Sequence, residues 1–281
     1  MQPKIEIILP VHNRIQTTLR FLGELKAQTY RDIRLIVVDD GSKDGTSEAV
    51  KRQVSDAVII QGNGTLWWAG SLHKGYHWLK RHYTDKNDLV LLINDDVRFE
   101  PRFLESAVEV MASLDRALLC AQCFSISSGK LLDAGINWDW RGDGFSLAWH
   151  DAEVNCFSTR GLFLRVGDFI DLGGFHPKLL PHYLSDYEFT MRANRRGFHM
   201  VTSPTVRVYT DESASGISNY DRSSLKRFLA QYFSKRNYRH PVHVFFFILF
   251  ACPTVRQKVR EWWKLLKETG TVVFGLQSSE P

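Results

Sequence analysis

The chain has 281 residues, 44% of them hydrophobic, and a net charge of +5, enough to bury one large core or a core with an appendage. The charge is uneven. Between Arg222 and Glu268 eleven Lys/Arg stand against two Asp/Glu, or +9, so the rest of the chain carries −4. That distribution excludes a general nucleic-acid binder and points to a local basic surface.

Taken in order, the opening residues run straight into Ile5–Leu9 without the pattern of a signal peptide. Four cysteines outside a secretory context suit a reducing compartment, so a cytoplasmic protein is expected. Lys4–Leu9 reads as an apolar strand ending at Pro10-Val11-His12-Asn13-Arg14. Leu19, Leu22 and Leu25 give a helix over Thr17–Gln28 one buried face. Ile33–Val38 is a second buried strand, closing on Asp39-Asp40-Gly41-Ser42, with a helix near Ser47–Val54. Ala57–Ile60 is a third, followed by Gly62-Asn63-Gly64-Thr65-Leu66-Trp67-Trp68 and a helix to about Tyr83. Asp88–Val97 reads as a strand buried on both faces that closes on Asn94-Asp95-Asp96, and a helix follows over Pro101–Leu114. This alternation predicts a Rossmann-like α/β fold, a mostly parallel sheet with helices on both faces.

After Leu114 the rhythm changes. Leu118–Ile126 and Phe157–Val166 read as strands around Gly129–Asn155, which is too long for a turn and is expected to hold hairpins or an irregular insertion. Trp138, Trp140 and Trp149 lie in that stretch, as a hydrophobic cluster or as an acceptor platform. A polar helix over Ser185–Arg196 stops at Gly197. Cys120-x-x-Cys123 falls inside a strand-like run with no second Cys/His pair at ligand spacing, so core packing is expected for it.

Ligands of open α/β sheets bind at the carboxyl ends of the strands. The chain has no G-x-x-x-x-G-K-[ST] loop and no G-x-S-x-G elbow, and Trp67 stands where a dinucleotide fingerprint opening at Gly62 needs Gly. Carboxylates at strand ends remain. Asp95 and Asp96 offer hard oxygens to Mg²⁺ or Mn²⁺, which can in turn hold a diphosphate; a plain turn and helix cap is the competing reading. A carboxylate such as Asp39 can accept a base N–H. Trp67 and Trp68 could stack on a sugar or pack beneath their loop.

Ile8-Leu9-Pro10-Val11-His12-Asn13, Val37-Val38-Asp39-Asp40-Gly41-Ser42 and Asn94-Asp95-Asp96 resemble, in order and spacing, the signature segments of family 2 glycosyltransferases of the GT-A fold. Thr159-Arg160-Gly161, Gly173-Gly174-Phe175 and Ser185-Asp186-Tyr187-Glu188-Phe189-x-x-Arg192 resemble that family's acceptor-side half, so the similarity covers about residues 4–210, with rhamnosyltransferase-like members most similar. The resemblance implies a GT-A domain over 1–220, with a nucleotide-sugar half (1–115) and an acceptor half (116–220), and a basic amphipathic helical extension over 221–281. It implies an inverting transfer from a nucleotide sugar, UDP- or dTDP-linked, to a glycan or lipid-linked acceptor in bacterial surface-polysaccharide assembly. Pro10, His12, Asn13 and Asp39 would lie along the nucleoside, Asp95 would face the donor's ribose or sugar, Asp96 would ligate the metal and Asp186 would be the catalytic base. Two departures stand out. Ser185 replaces the usual Glu, and Val206–Asp211 lacks the frequent His, for which Asp211 could substitute.

Val242–Cys252 is apolar but too short to span a bilayer. Val255, Val259, Trp262, Trp263 and Leu266 form one helical face flanked by Arg256, Arg260, Lys264 and Lys267, the pattern of an interfacial helix. Residues 242–268 are therefore expected to lie on the inner membrane surface, or else to pack on the catalytic domain or a second subunit as a homodimer. A metal-dependent nucleotidyltransferase and a non-catalytic glycan- or nucleotide-binding module are the alternatives in function.

Overall fold

A computed structural model of the chain describes residues 2–142, 144–148, 153–211, 225–235 and 237–273. Strands β1 (Ile5–Val11), β2 (Ile33–Asp39), β3 (Val58–Gln61) and β4 (Leu89–Leu92) lie parallel in the order β3-β2-β1-β4. They are joined by α1 (Ile15–Lys26), α2 (Thr46–Gln53) and α3 (Trp67–His82). Strand side chains alternate between two cores, as the pleat requires. Ile5, Ile7, Leu9 and Val11 face one together with Phe21, Leu22 and Leu25 of α1, and Ile8 faces the other with Leu72, Tyr76 and Leu79 of α3.

The strand expected over Asp88–Val97 ends sooner, at Leu92. Val97–Arg98 forms a separate strand, β5, at the far edge of the sheet. After α4 (Phe103–Ala112) the sheet turns mixed. β6 (Ala117–Ser125) carries β7 (Leu131–Asp133) on its edge, and a separate hairpin is built from β8 (Ile136–Asp139) and β9 (Gly144–Leu147). β10 (Leu162–Arg165) runs antiparallel to both β4 and β6, and β11 (His199–Thr210) pairs parallel with β6 and antiparallel with β5. Among the described residues the sheet has nine strands.

Of the strand expected over Phe157–Val166, only Leu162–Arg165 pairs. Gly161 has φ +109, a backbone that breaks the extended run, and Val166 opens α5 (Val166–Leu172). Helix α6 (Ser185–Arg195) begins one residue after Leu184, at φ +68. Its Glu188 is buried and bonds Arg192 twice, at 2.9 and 3.1 Å, while Arg192 also donates to the Gly174 carbonyl at 2.6 Å. The Gly173–Phe175 turn is thereby clamped to α6. Cys120 and Cys123 are buried free thiols in the two opposite cores, since residues three apart on a strand point to opposite faces.

Past the acceptor half come α7 (Leu225–Tyr232), α8 (Pro241–Ala251) and α9 (Val255–Val273). The boundary expected at 220/221 and Trp149 lie outside the described residues. Helix α8 docks on α6: Phe247 and Ala251 join Ile136, Leu184 and Met191 in a third core, edged by Trp138, Trp140 and Tyr187. Arg195 donates to the Phe250 carbonyl at 2.5 Å and to that of Ala251, so a cation covers the last carbonyls of α8.

The distance of α3 from β1, and so the level of the loop that opens it, depends on Gly75. A Cβ there would stand 2.5 Å from Ile8 Cγ2 and 3.1 Å from its Cδ1, inside a closed core. Gly75→Ala is expected to cost about 1–3 kcal/mol, as overpacking does, read as a lower urea midpoint with unchanged slope.

Candidate active site

β1, β2 and β3 end at one level, at Val11, Asp39 and Gln61, β4 pairs as far as Leu92 opposite Ile8, and the loops that follow knit together. His12 Nδ1 is 2.7 Å from the Asp40 carbonyl, and Asn13, at φ +50, accepts from Lys43 N–H and takes the Ser42 hydroxyl on its own N–H, both at 2.8 Å. Asp39 is 1% exposed, and its carboxylate accepts the Ser42 N–H at 2.7 Å and the Ser47 hydroxyl. Asp40 has a different task. One oxygen accepts Gly64 N–H at 2.8 Å and the other accepts Leu66 and Trp67 N–H at 2.9 and 3.1 Å. The Leu66 and Trp67 amides stand at the start of α3, so Asp40 satisfies donors a helix start leaves orphaned and ties the Gly64 loop to them. Trp67 is held at φ +59, with its ring 5.7 Å from that of His182. Trp68 donates its indole N–H to Thr159 Oγ1 at 3.0 Å.

At the end of β4 the two acids are unequal. Asp95 is 1% exposed, accepts Thr18 Oγ1 at 2.8 Å and meets Arg14 Nη1 at 3.1 Å. Burial raises its pKa, opposed by Arg14 and Thr18. Asp96 has a third of its side chain exposed and meets Arg14 Nη2 at 3.1 Å. The β11–β5 register, Thr210 on Val97 and Tyr209 on Arg98, puts Asp211 opposite Asp96 if continued by one residue. Among the described residues no three His, Cys, Asp or Glu side chains gather as a metal cage. Mg²⁺ is commonly held by one or two carboxylates with substrate phosphates and water, and this donor set fits that arrangement.

The acceptor half reaches the same level. Gly161 N–H donates to the Leu92 carbonyl at 3.1 Å, so the Thr159–Gly161 turn abuts the end of β4. Thr190 Oγ1 bonds both N–H and C=O of Phe157, at 3.0 and 3.2 Å, which hooks α6 to that turn. Arg160 Nη1 lies 3.8 Å from Cys123 Sγ, and its charge is felt by Asp133, Asp96 and Asp186. Asp133 is itself fixed by Gly135 N–H at 2.9 Å and Ser158 Oγ at 2.8 Å. Burial pushes the Asp186 carboxyl up to about 6, against hydrogen bonds from backbone N–H groups and the charge of Arg160. Ser185 is buried and donates to the His182 carbonyl at 2.6 Å.

The glycosyl transferase family 2 profile matches residues 6–165, all four strand ends and the Thr159–Gly161 turn included. The chain belongs to glycosyl transferase family 2. An uncharacterized glycosyltransferase of Rickettsia prowazekii (strain Madrid E) is 30% identical over 123 residues, which are 43% of this chain and 36% of that protein. The transferase thus spans just over a third of that relative's length. The N-acetylglucosaminyl-diphospho-decaprenol L-rhamnosyltransferase of Mycobacterium tuberculosis (strain ATCC 25618 / H37Rv) is 20% identical over 215 residues, 67% of this chain and 70% of that one. In fold, the transferase is similar to the mannosyltransferase PcManGT from Pyrobaculum calidifontis, solved with GDP-Man and Mn²⁺: TM-score 0.58, 15% identity, 97% of this chain and 72% of that one. The fold is GT-A, with the C-terminal helices as its extension.

Of the expected site residues, Pro10 and Asp39 lie in the last residues of β1 and β2, His12, Asn13, Asp95 and Asp96 in the loops after β1 and β4, and Trp67 at the first residue of α3. Asp186 comes from the acceptor half, linked to them through the Thr159–Gly161 turn and Trp68. Arg14, Thr18, Asp40, Arg160 and Asp133 had no assigned role. Arg160 stands inside a signature segment and Arg14 directly follows one, so their position was a signal. Asp133 gave none, because it reaches the site only through the β6–β7 pairing. Asp40→Ala, which unpairs three amides, is expected to lower stability by about 1–3 kcal/mol. It should also speed hydrogen exchange at Gly64, Leu66 and Trp67, whereas Asp39→Ala should leave those amides protected.

Proposed function

We propose that this family 2 glycosyltransferase moves a sugar, with inversion, from a nucleotide sugar to a hydroxyl of a glycan or lipid-linked acceptor in surface-polysaccharide assembly, aided by Mg²⁺ or Mn²⁺. One observation carries the reading: Asp186 and the β4 acids belong to two halves joined at the Gly161–Leu92 hydrogen bond, and the charge of Arg160 acts on both Asp96 and Asp186. Pro10, His12, Asn13 and Asp39 form the nucleoside wall. Asp95, Trp67 and Trp68 border the ribose and sugar, and Asp96, together with Asp211 where the β11–β5 register continues, would hold the metal. When bound, the metal supplies Lewis-acid stabilisation of the departing diphosphate.

A sugar hydroxyl is a weak nucleophile at neutral pH. Asp186 takes its proton as the oxygen bonds to the anomeric carbon, and the bond from that carbon to the diphosphate oxygen breaks on the opposite face. The nucleoside diphosphate leaves with the electron pair. A carboxyl raised to about 6 is ionised at pH 7 and more basic than an ordinary aspartate. Membership of the family weighs against the nucleotidyltransferase alternative, and the buried Asp186 carboxyl with its raised pKa weighs against a purely binding module.

The extension supports an acceptor at a membrane surface. No helix among the described residues is long and apolar enough to cross a bilayer. Trp262 packs inward, stacked on Phe245 at 4.9 Å with its N–H on the Phe245 carbonyl at 3.2 Å. Val255, Val259, Trp263 and Leu266 form an exposed stripe on α9, with Val255 76% and Trp263 59% exposed. Arg256 and Lys267 lie exposed in the same helix, Lys267 5.4 Å over the Trp263 ring. An apolar stripe beside basic residues complements an anionic lipid surface, and to that surface we assign it.

Asp186→Asn tests the catalytic half. Transfer should fall by about 10²–10⁴-fold with donor affinity changed less than a few-fold. Below pH 6 the wild-type base is protonated and cannot accept a proton. Its kcat/KM should therefore fall as pH drops through about 6, and the variant's residual rate should lack that limb. Near wild-type transfer by Asp186→Asn would remove the assignment. For the extension, flotation with anionic liposomes should show binding that weakens with salt and is lost in Trp263→Ser/Leu266→Ser, with donor hydrolysis retained; indifference to liposomes at low salt would contradict it.

A further inference from the structure

The β4 acids already have a cation. Arg14 spans them with one guanidinium, Nη1 3.1 Å from Asp95 Oδ1 and Nη2 3.1 Å from Asp96 Oδ2, and Thr18 takes the second oxygen of Asp95 at 2.8 Å. Asp95 is therefore fully engaged, while Asp96, the accessible acid, shares its Oδ2 with Arg14. Two carboxylates and one guanidinium leave the pair with about one net negative charge instead of two. A lone divalent ion would meet half the charge of the bare pair and would have to compete with Arg14 for an Asp96 oxygen.

Arg14 is also the part of this corner that can move. Its backbone is pinned by the Asn13 bonds to Ser42 and Lys43, at the first residue before α1, yet its side chain is 40% exposed. Rotation about the side-chain torsions suffices to swing the guanidinium without moving the loop. The planar fork that grips two carboxylates is equally suited to a diphosphate.

We propose that Arg14 is an internal counter-ion that shields Asp95 and Asp96 until a metal–nucleotide complex arrives, and that it then exchanges the carboxylates for the diphosphate. The inference rests on the function proposed above. It makes binding of metal and nucleotide mutually dependent: the metal gains its ligand as Arg14 leaves, and Arg14 leaves because the diphosphate offers it a replacement partner.

Mn²⁺ binding followed by electron paramagnetic resonance tests the exchange without turnover. Wild-type protein should bind Mn²⁺ alone weakly. Arg14→Gln, which unshields the acids, should bind Mn²⁺ alone at least tenfold more tightly, and adding Asp96→Asn should abolish the gain. The same Arg14→Gln protein should bind Mn²⁺-UDP or Mn²⁺-GDP, whichever the wild type retains, several-fold more weakly. Opposite shifts in one variant are not produced by damage to the fold, which lowers both. If Arg14→Gln fails to fold, Arg14→Lys carries the test, since a single ammonium cannot span both acids and should give an intermediate gain for Mn²⁺ alone. A folded variant with unchanged affinity for Mn²⁺ alone overturns the proposal. Wild-type protein that binds neither nucleotide more tightly with Mn²⁺ overturns the proposed function itself, so the two failures are distinct.

Discussion

One hydrogen bond sets the spacing of the cleft. Gly161 N–H reaches the Leu92 carbonyl at 3.1 Å, where a parallel strand ends and an antiparallel one begins. On one side of it the chain continues to Asp95 and Asp96, and on the other it leads back through Arg160 and Thr159 to the elements that hold Asp186. The bond is only possible because Gly161 adopts φ +109 with Ala121 Cβ just 3.1 Å from where a side chain would start. The β10–β4 ladder starts at that joint, so a shift there would move the proposed base relative to the proposed donor.

The first half of the fold was legible because its signal is local. Strands buried on both faces are continuous apolar runs, and the loops after them are dense in Asp, Gly and Asn. The second half is governed by pairings distant in sequence. Phe157–Val166 looks like one apolar strand, yet a single left-handed glycine divides it into a turn, a short strand and a helix start. Val97–Arg98 appears continuous with β4, but the adjacent Asp pair needs a turn, and the two residues pair instead with Tyr209 and Thr210 across the sheet.

The site shows the same division. Residue types and order marked Asp39, Asp95, Asp96 and Asp186, but not which are open and which are committed. Asp39 and Asp40 are neighbours of identical chemistry, and one closes its own turn while the other holds the start of α3. The carboxylates at 95 and 96 differ for a similar reason, since the turn after β4 sends Asp95 inward to Thr18 and leaves Asp96 at the rim. In the extension, amphipathic spacing marked one face over Val255–Leu266, but adjacent tryptophans divide between two surroundings: Trp262 seals α9 against Phe245, and Trp263 stays outside.

The docking of α8 bears on how the chain is made. Phe247 and Ala251 complete a core whose other members begin at Ile136, about 115 residues earlier, so at synthesis rates of about 5–20 residues per second that core stays open for roughly 6–23 s. Throughout that interval Trp138 and Trp140 lack Phe247, the aromatic partner that α8 brings. That core thus closes well after the sheet that precedes it. Ribosome-bound intermediates would present it as a sticky surface, and chaperone demand should peak just before α8 emerges.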